Sequence, residues 1–129
     1  MTDKTTAVRA GVLTALQASG GPGATVYDRV PDNQPPPAVI IDTVENEGGM
    51  TKAGGPYAYT VEIVTVLRTR SKVAIEAVMA GVFNRLENVS LSGIVATRPR
   101  LESATLDSSG NDGLTMVGRQ FFRLMVLED

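Results

Sequence analysis

The chain has 129 residues, of which 43% are apolar and 20% are charged, and its formal net charge is −2. This length and composition predict one globular domain over residues 1–129 and exclude bulk disorder. Six basic and seven acidic residues lie in each of the segments 1–70 and 71–129, so the charge pattern gives no sign of strong attraction to nucleic acid or membranes. The chain has neither cysteine nor histidine, which excludes thiolate chemistry, imidazole bases and most zinc sites.

The start of the chain resembles no targeting segment. Met1–Thr5 lacks the cationic and apolar regions of a secretory signal, and no apolar run approaches the ~20 residues of a membrane span. We therefore expect the protein to remain in the cytoplasm unless a larger particle carries it out.

A helix is predicted over residues 2–19, with Thr2 or Asp3 as its N-cap. The glycines and proline of 20–23 end it, because glycine tolerates the left-handed conformation and proline cannot continue a helix. Apolar residues at helical spacing define its buried face: Val8, Val12, Ala15 and Leu16.

Two strands are predicted over 25–30 and 38–44, joined by an extended connection that contains Pro35–Pro37. A polar, glycine-rich loop over 45–56 follows, and then a strand over 57–67. The alternation of that strand places Tyr57, Tyr59, Val61 and Ile63 on one face, and Thr60, Glu62, Val64 and Val66 on the other.

A second helix is predicted over 71–87, capped by Ser71. A long strand over 94–106, broken by Pro99, a turn over 107–113 and a last strand over 114–127 complete the chain. The apolar stripe of the second helix comprises Ile75, Val78, Met79, Val82 and Leu86. This order of elements predicts an α+β fold, a mostly antiparallel β-sheet with two α-helices packed on it.

The last strand is apolar on both faces. One face carries Met116, Phe122, Leu124 and Val126, and the other carries Val117, Phe121, Met125 and Leu127. Such a strand needs cover on both sides. Either one helix packs on each face, or both helices pack on one face and a neighbouring subunit covers the other. The candidate residues for a subunit interface or core are Arg119, Phe121, Phe122, Arg123 and Met125.

The glycine-rich segment 47–55 has the composition of a phosphate-binding loop but lacks the Gly-Lys-Ser/Thr sequence, and a strand follows it instead of a helix. A hairpin loop is the better interpretation, and such a loop can serve as an assembly contact. The candidate contact residues are Gly48, Gly49, Met50, Thr51, Lys52 and Ala53.

Other polar patterns are weaker. Asp107, Ser109 and Asn111 have the spacing of a calcium loop, but the twelfth position is Gly118 where a glutamate is required, which favours a hairpin turn. The carboxylate pairs Asp28 with Asp32 and Asp42 with Glu45 lie at turns or strand edges, where solvated acids are common.

Four arginines share parity within their strands: Arg98, Arg100, Arg119 and Arg123. They are interpreted either as solvated charges beside a sheet edge or as a basic stripe. A stripe would meet acidic groups of a partner subunit more readily than DNA, because no aromatic residues interleave with it as a single-strand binding platform requires.

Four segments, taken in order, resemble the tail terminator (tail completion) proteins of long-tailed bacteriophages and of phage-like gene transfer particles. They are the opening amphipathic helix, "VYDRVPDNQPPPAVIID", "YTVEIVTVLRTRSKVAIEAVMAGVFNRLENVSLSG" and the closing "GRQFFRLMVLED". The resemblance covers nearly the whole chain, from Val8 to Leu127. The glycine-rich loop 46–56 and the longer polyproline connection depart from the family pattern.

The resemblance implies a subunit that assembles as a sixfold ring on the head-proximal end of the tail tube. There the ring would stop tube polymerisation, fix tail length and offer a surface to the head connector, while the genome passes through the central hole. It implies a structural protein of the virion tail or neck, assembled in the host cytoplasm, with no enzymatic activity, cofactor, metal or membrane contact. Its partners would be copies of itself, the major tail tube protein and the head–tail connector or stopper, with DNA passing without sequence-specific binding.

Two other interpretations stay open. The chain could be another neck component of the same particle, such as a connector or stopper, which gene order would separate from a terminator. It could instead be a small enzyme or ligand-binding domain that uses Asp and Arg side chains, which requires a closed polar pocket with a perturbed carboxylate.

Overall fold

The computed structural model describes residues 4–18, 21–28, 38–46, 57–69, 71–109 and 115–127. In chain order these form α1 (Thr5–Gln17), β1 (Thr25–Tyr27), β2 (Ala38–Asn46), β3 (Tyr57–Arg68), α2 (Lys72–Leu86), β4 (Arg100–Ser109) and β5 (Thr115–Val126). The strands make one sheet in the order β1-β2-β3-β5-β4. β1 and β2 pair in parallel, and the other three pairings are antiparallel. The predicted α+β fold is confirmed.

Helix α1 begins later than the sequence predicts. Its N-cap is Lys4, whose side chain makes no capping bond, and the predicted caps Thr2 and Asp3 lie outside the described residues. The backbone N–H of Lys4 instead donates to the Tyr59 hydroxyl at 2.9 Å, which fixes the start of the helix to β3. After Gln17 the backbone becomes extended at Ala18, and Gly21 and Gly23 follow with φ of 90° and 107°.

The first two strands differ in length from the prediction. β1 ends at Tyr27, and residues 29–37, with the polyproline connection, lie outside the described part of the chain. β2 continues two residues beyond the predicted end at Val44, because its ladder with β3 runs on to the pair Asn46 and Tyr59. A bulge at Asp42 interrupts that ladder and reverses which side chains face the core.

Helix α2 follows the prediction closely. The Ser71 hydroxyl accepts from the Ala74 N–H at 3.3 Å, as expected of an N-cap. The five residues of the predicted apolar stripe are all buried. Two glycines allow close packing of this helix, since a Cβ at Gly81 would lie 2.6 Å from the Pro22 carbonyl oxygen and a Cβ at Gly118 would lie 2.3 Å from the Met79 sulfur.

Strand β4 was predicted over 94–106 and is observed over Arg100–Ser109. Pro99 has no N–H for a ladder, and residues 94–99 contribute a single bridge between Ala96 and Val126. At the other end, residues 107–109 pair with β5, so the predicted turn over 107–113 begins later than expected. A bulge at Glu102 lies between the pairs formed by Leu101 and Ser103.

Both helices pack on the same face of the sheet, where they enclose one apolar core. The fully buried side chains from the helices include Val8, Val12, Leu16, Val82 and Leu86, and those from the sheet include Val39, Tyr59, Val61, Ile63, Phe122, Leu124 and Val126. The alternative in which one helix covers each face is therefore wrong. Neither helix in the described residues is long and apolar enough to cross a membrane.

Candidate functional site

The face of the sheet that points away from the helices is called here the open face. Tyr59, Val61 and Ile63 point into the core, so the alternating residues of β3 point to the open face, and the β3–β5 register carries this assignment to β5. The open face of these two central strands comprises Ala58, Thr60, Glu62, Val64, Val66, Arg68, Thr115, Val117, Arg119, Phe121, Arg123 and Met125. Apolar side chains thus form a band in the middle of a surface that neither helix covers.

The structure divides the predicted β5 residues between two surfaces. Phe122 is fully buried in the core. Phe121, Arg123 and Met125 are half-buried on the open face, and Arg119 is exposed there. Sequence reasoning left open which of these residues is core and which is surface, and the register decides it.

An ion pair crosses the middle of the open face. Arg119 Nη1 lies 2.8 Å from Glu62 Oε2, and the other oxygen of Glu62 accepts from the Thr43 hydroxyl at 3.2 Å. Surface pairs of this kind contribute only about 0–1 kcal/mol to stability. Their main effect here is to hold polar groups in fixed positions beside the half-buried Phe121.

Three of the four arginines of the hypothesised basic stripe converge on one cleft. Arg98, Arg100 and Arg123 line an open cavity of about 380 Å³, together with Asn88, Thr97, Glu102, Leu124 and Met125. This group is called here the arginine cleft. Arg119 lies outside it and pairs with Glu62, so the four side chains form no continuous stripe.

The segment before β4 is held in place by backbone and side-chain bonds, which sets the shape of the arginine cleft. The Thr97 N–H donates to the Met125 carbonyl and the Met125 N–H donates to the Thr97 hydroxyl, both at 2.8 Å. The Pro99 carbonyl accepts from the Asn88 N–H at 2.9 Å. The backbone of Arg98, which lies between the two anchored residues, is thereby held beside the cleft.

Glu87 closes one outer edge of the sheet beside this cleft. One of its carboxylate oxygens lies 2.8 Å from Arg100 Nε, and the other accepts from the backbone N–H of Leu101. The Leu101 N–H at the start of β4 is therefore not available to pair with a strand from outside.

Arg9 occupies backbone groups toward the opposite side of the sheet, where the described pairs of β1 with β2 end at Ile40. Its Nη1 donates to the Ile41 carbonyl at 2.9 Å and lies 3.0 Å from Asp28 Oδ1, and its Nη2 donates to the Asp42 carbonyl at 3.4 Å. Sequence reasoning did not single out Arg9. The available signal is that Arg9 is the only charged residue in α1, next to the apolar Val8 of its buried face; a charge that becomes partly buried there is stabilised by a partner.

A second cleft, of about 400 Å³, runs between α2 and β4 and is mostly apolar. It exists because α2 packs over β3 and β5 and leaves the inner side of β4 uncovered. Its lining includes Met79, Phe83, Leu101, Leu106 and Gln120, and Phe83 is 37% exposed. Helical periodicity alone does not show which part of the sheet a helix leaves open.

The remaining sequence candidates are not brought together. The predicted contact residues 48–53 lie outside the described part of the chain. Their flanking strands are paired at Asn46 with Tyr59 and at Tyr57 with Val126. Within the described ranges, no group of three or more acidic side chains is placed to hold a metal ion.

The carboxylates singled out in the sequence lie at separate positions. Asp28 pairs with Arg9, Asp42 and Glu45 are exposed on β2, and Asp32 is outside the described residues. Asp107 belongs to β4, which removes it from the loop geometry that a calcium site needs.

No protein-family model matches the chain, and no curated protein matches it significantly. A significant match exists among solved structures. A chain of the structure described as "Virion of native gene transfer agent (GTA) particle" shares the fold with a TM-score of 0.77, at 18% sequence identity, over 97% of this chain and 98% of that chain. The two chains therefore have the same α+β fold along almost their entire lengths.

Proposed function

We propose that this chain is a structural virion protein, a tail terminator that forms a homo-oligomeric ring on the head-proximal end of a tail tube. The observation that carries the proposal is the fold shared with a chain of a gene transfer agent virion over nearly the full length of both. The ordered sequence resemblance to tail terminators supports the same role independently. The resemblance also implies that the ring has six copies.

The open face supports a role in assembly. Its half-buried Phe121 and Met125 and its central Arg119–Glu62 pair form a mixed apolar and polar surface. Interfaces between subunits combine an apolar centre with polar groups that fix register. In this role the open face packs against a neighbouring copy or against the tube.

The partly occupied backbone groups at the two sides of the sheet fit a protein that ends polymerisation. An unpaired strand edge is a template for further strands, and a cap must bind the last tube layer without presenting a new growing end. Glu87 occupies a backbone N–H of the outer strand β4, and Arg9 occupies backbone carbonyls of β2 just beyond its last described pair with β1. The partners in this proposal are the ring's own copies, the tail tube protein and the head connector, with DNA passing through the hole.

Mass photometry and negative-stain imaging test the proposal. The purified chain is measured alone at high concentration and again with purified tail tubes of the same particle. We expect closed rings in at least one setting and a cap on one end of each tube. A chain that stays monomeric in both settings contradicts the proposal, and a ring that binds heads but never tubes indicates a connector or stopper instead.

A further inference from the structure

We propose that neighbouring copies in the ring meet through Glu45 of one copy and the arginine cleft of the next. This inference rests on the proposed ring and names the surfaces that join it. It arises from the sheet register, which places the two charged groups at the same level on the two sides of the sheet. Glu45 lies in the part of β2 that extends beyond the described pairs with β1.

Glu45 and Arg100 belong to one row of residues that crosses the sheet. Glu45 in β2 pairs with Thr60 in β3, Thr60 pairs with Arg123 in β5, and Arg123 pairs with Arg100 in β4. Residues directly opposite in adjacent strands point to the same face. The row therefore starts with a carboxylate at one side of the sheet and ends with two guanidinium groups at the other.

Rotational symmetry brings the two ends of such a row together. A rotation leaves every residue at its original height along the axis, and the contact between neighbours in a ring is head to tail. When the axis runs along the strands, the row of one copy continues into the row of the next. Glu45 then faces the neighbour's Arg100 and Arg123, and Arg98 in the same cleft lies beside them.

Glu45 and Arg100 are both accessible for this contact. Glu45 is exposed and forms no ion pair with another residue in the described ranges. In the cleft, Arg100 keeps a side chain that is 73% exposed although its Nε contacts Glu87. Complementary charges at a subunit contact fix its register and exclude wrong partners.

The contact proposed here is made by side chains and not by strand addition. Glu87 occupies the N–H of Leu101 at the outer edge of β4, and Arg9 occupies the carbonyls of Ile41 and Asp42 in β2, just beyond the last described pair with β1. Backbone pairing between copies is blocked at these positions. Paired side chains can join the copies without extending the sheet.

A carboxylate fits the arginine cleft better than a DNA strand. Glu102 lines the cleft and Glu87 contacts Arg100, so two acidic groups offset part of the charge of three arginines. Binding along a phosphate backbone relies on an excess of positive charge, and no tyrosine, phenylalanine or tryptophan is among the described residues that line the cleft, so base stacking has no platform among them.

Charge reversal and its rescue test the contact. Ring assembly is followed by mass photometry across a concentration series for the wild type, Glu45→Lys, Arg98→Glu and the double variant. Arg98 is chosen because no ion pair joins it to another described residue, so its reversal breaks no such contact in the fold. We expect each single reversal to raise the concentration needed for half-assembly by at least about tenfold, and the double variant to recover a substantial part.

The controls separate this inference from the proposed function. Glu76→Lys reverses an exposed charge on α2 and is expected to leave assembly unchanged. If the wild type forms rings and both single variants form them equally well, the proposed contact is wrong and the proposed ring still stands. Rings that stay intact in Arg98→Glu while duplex DNA binding is lost overturn it in favour of a phosphate site. A wild type that never assembles overturns the ring and the contact together.

Discussion

Phe121 and Phe122 are adjacent in sequence and lie on opposite faces of β5. Phe122 is fully buried between the sheet and the helices, and Phe121 is half-buried on the open face. The period-2 alternation of a strand assigns them to different surfaces, so their substitutions should have different consequences.

For Phe122→Ala we expect a loss of about 3–5 kcal/mol in the free energy of unfolding, because the change opens a cavity in a packed core. Chemical denaturation followed by circular dichroism measures this loss. A variant that unfolds at the wild-type midpoint would show that the β5 register is wrong.

For Phe121→Ala we expect a loss of only about 1 kcal/mol, since a half-buried phenylalanine gives up part of the ordinary burial energy. Ring formation or tube binding should instead weaken markedly. Measuring the unfolding midpoint and the assembly state of one preparation separates the two effects. Normal assembly with an unchanged midpoint would exclude the open face around Phe121 as a contact surface.

Gly81 tests the packing of α2 against the segment that follows α1. A Cβ at this position would lie 2.6 Å from the Pro22 carbonyl oxygen, and backbone cannot yield as a flexible side chain can. Overpacking typically costs about 1–3 kcal/mol and the helix propensity of alanine returns up to about 1 kcal/mol, so Gly81→Ala should be destabilising overall.

Asn84→Ala is the matched control for Gly81→Ala, because Asn84 is exposed on the same helix and gains helix propensity without a clash. We expect its thermal midpoint to equal or slightly exceed that of the wild type. A midpoint for Gly81→Ala as high as that of the control would mean that α2 and Pro22 are not in close contact.

The bounds and buried faces of some elements could be predicted from the sequence, and those of others could not. Helix α2 and the buried residues of α1 follow from helical spacing alone, and the two faces of β3 and β5 follow from alternation. The bulges at Asp42 and Glu102 carry no glycine or proline to signal them, and each reverses the side-chain alternation of its strand. The late start of β4 reflects Pro99, which is predicted to break a strand over 94–106 and is instead followed directly by the first residue of β4.

We expect the segment 48–55 to contribute to assembly and not to folding. Shortening it should leave solubility and the cooperativity of thermal unfolding unchanged, since the β2–β3 ladder already continues to Asn46 and Tyr59 without it. Binding to tail tubes should weaken. Loss of cooperative unfolding in the shortened chain would instead show that the loop is needed for a stable fold.

At the scale of the whole molecule, the decisive feature is that both helices pack on one face. The apolar patterns of α1, α2 and β5 allow either arrangement, because helical spacing shows that a helix has a buried side but not which face of the sheet receives it. The fold class could therefore be predicted from the sequence, whereas the open face and the arginine cleft required the three-dimensional register. The one residue pattern that favoured an intersubunit surface was the apolar outer side of β5.

The measurement that tests the proposed role most directly is the length distribution of tail tubes, imaged by electron microscopy, in particles made without this chain. Because a terminator ends tube growth, we expect tubes of widely varying and excessive length that are not joined to heads, and normal tails when the intact chain is supplied in trans. Tails of normal, uniform length in its absence would contradict the proposed function.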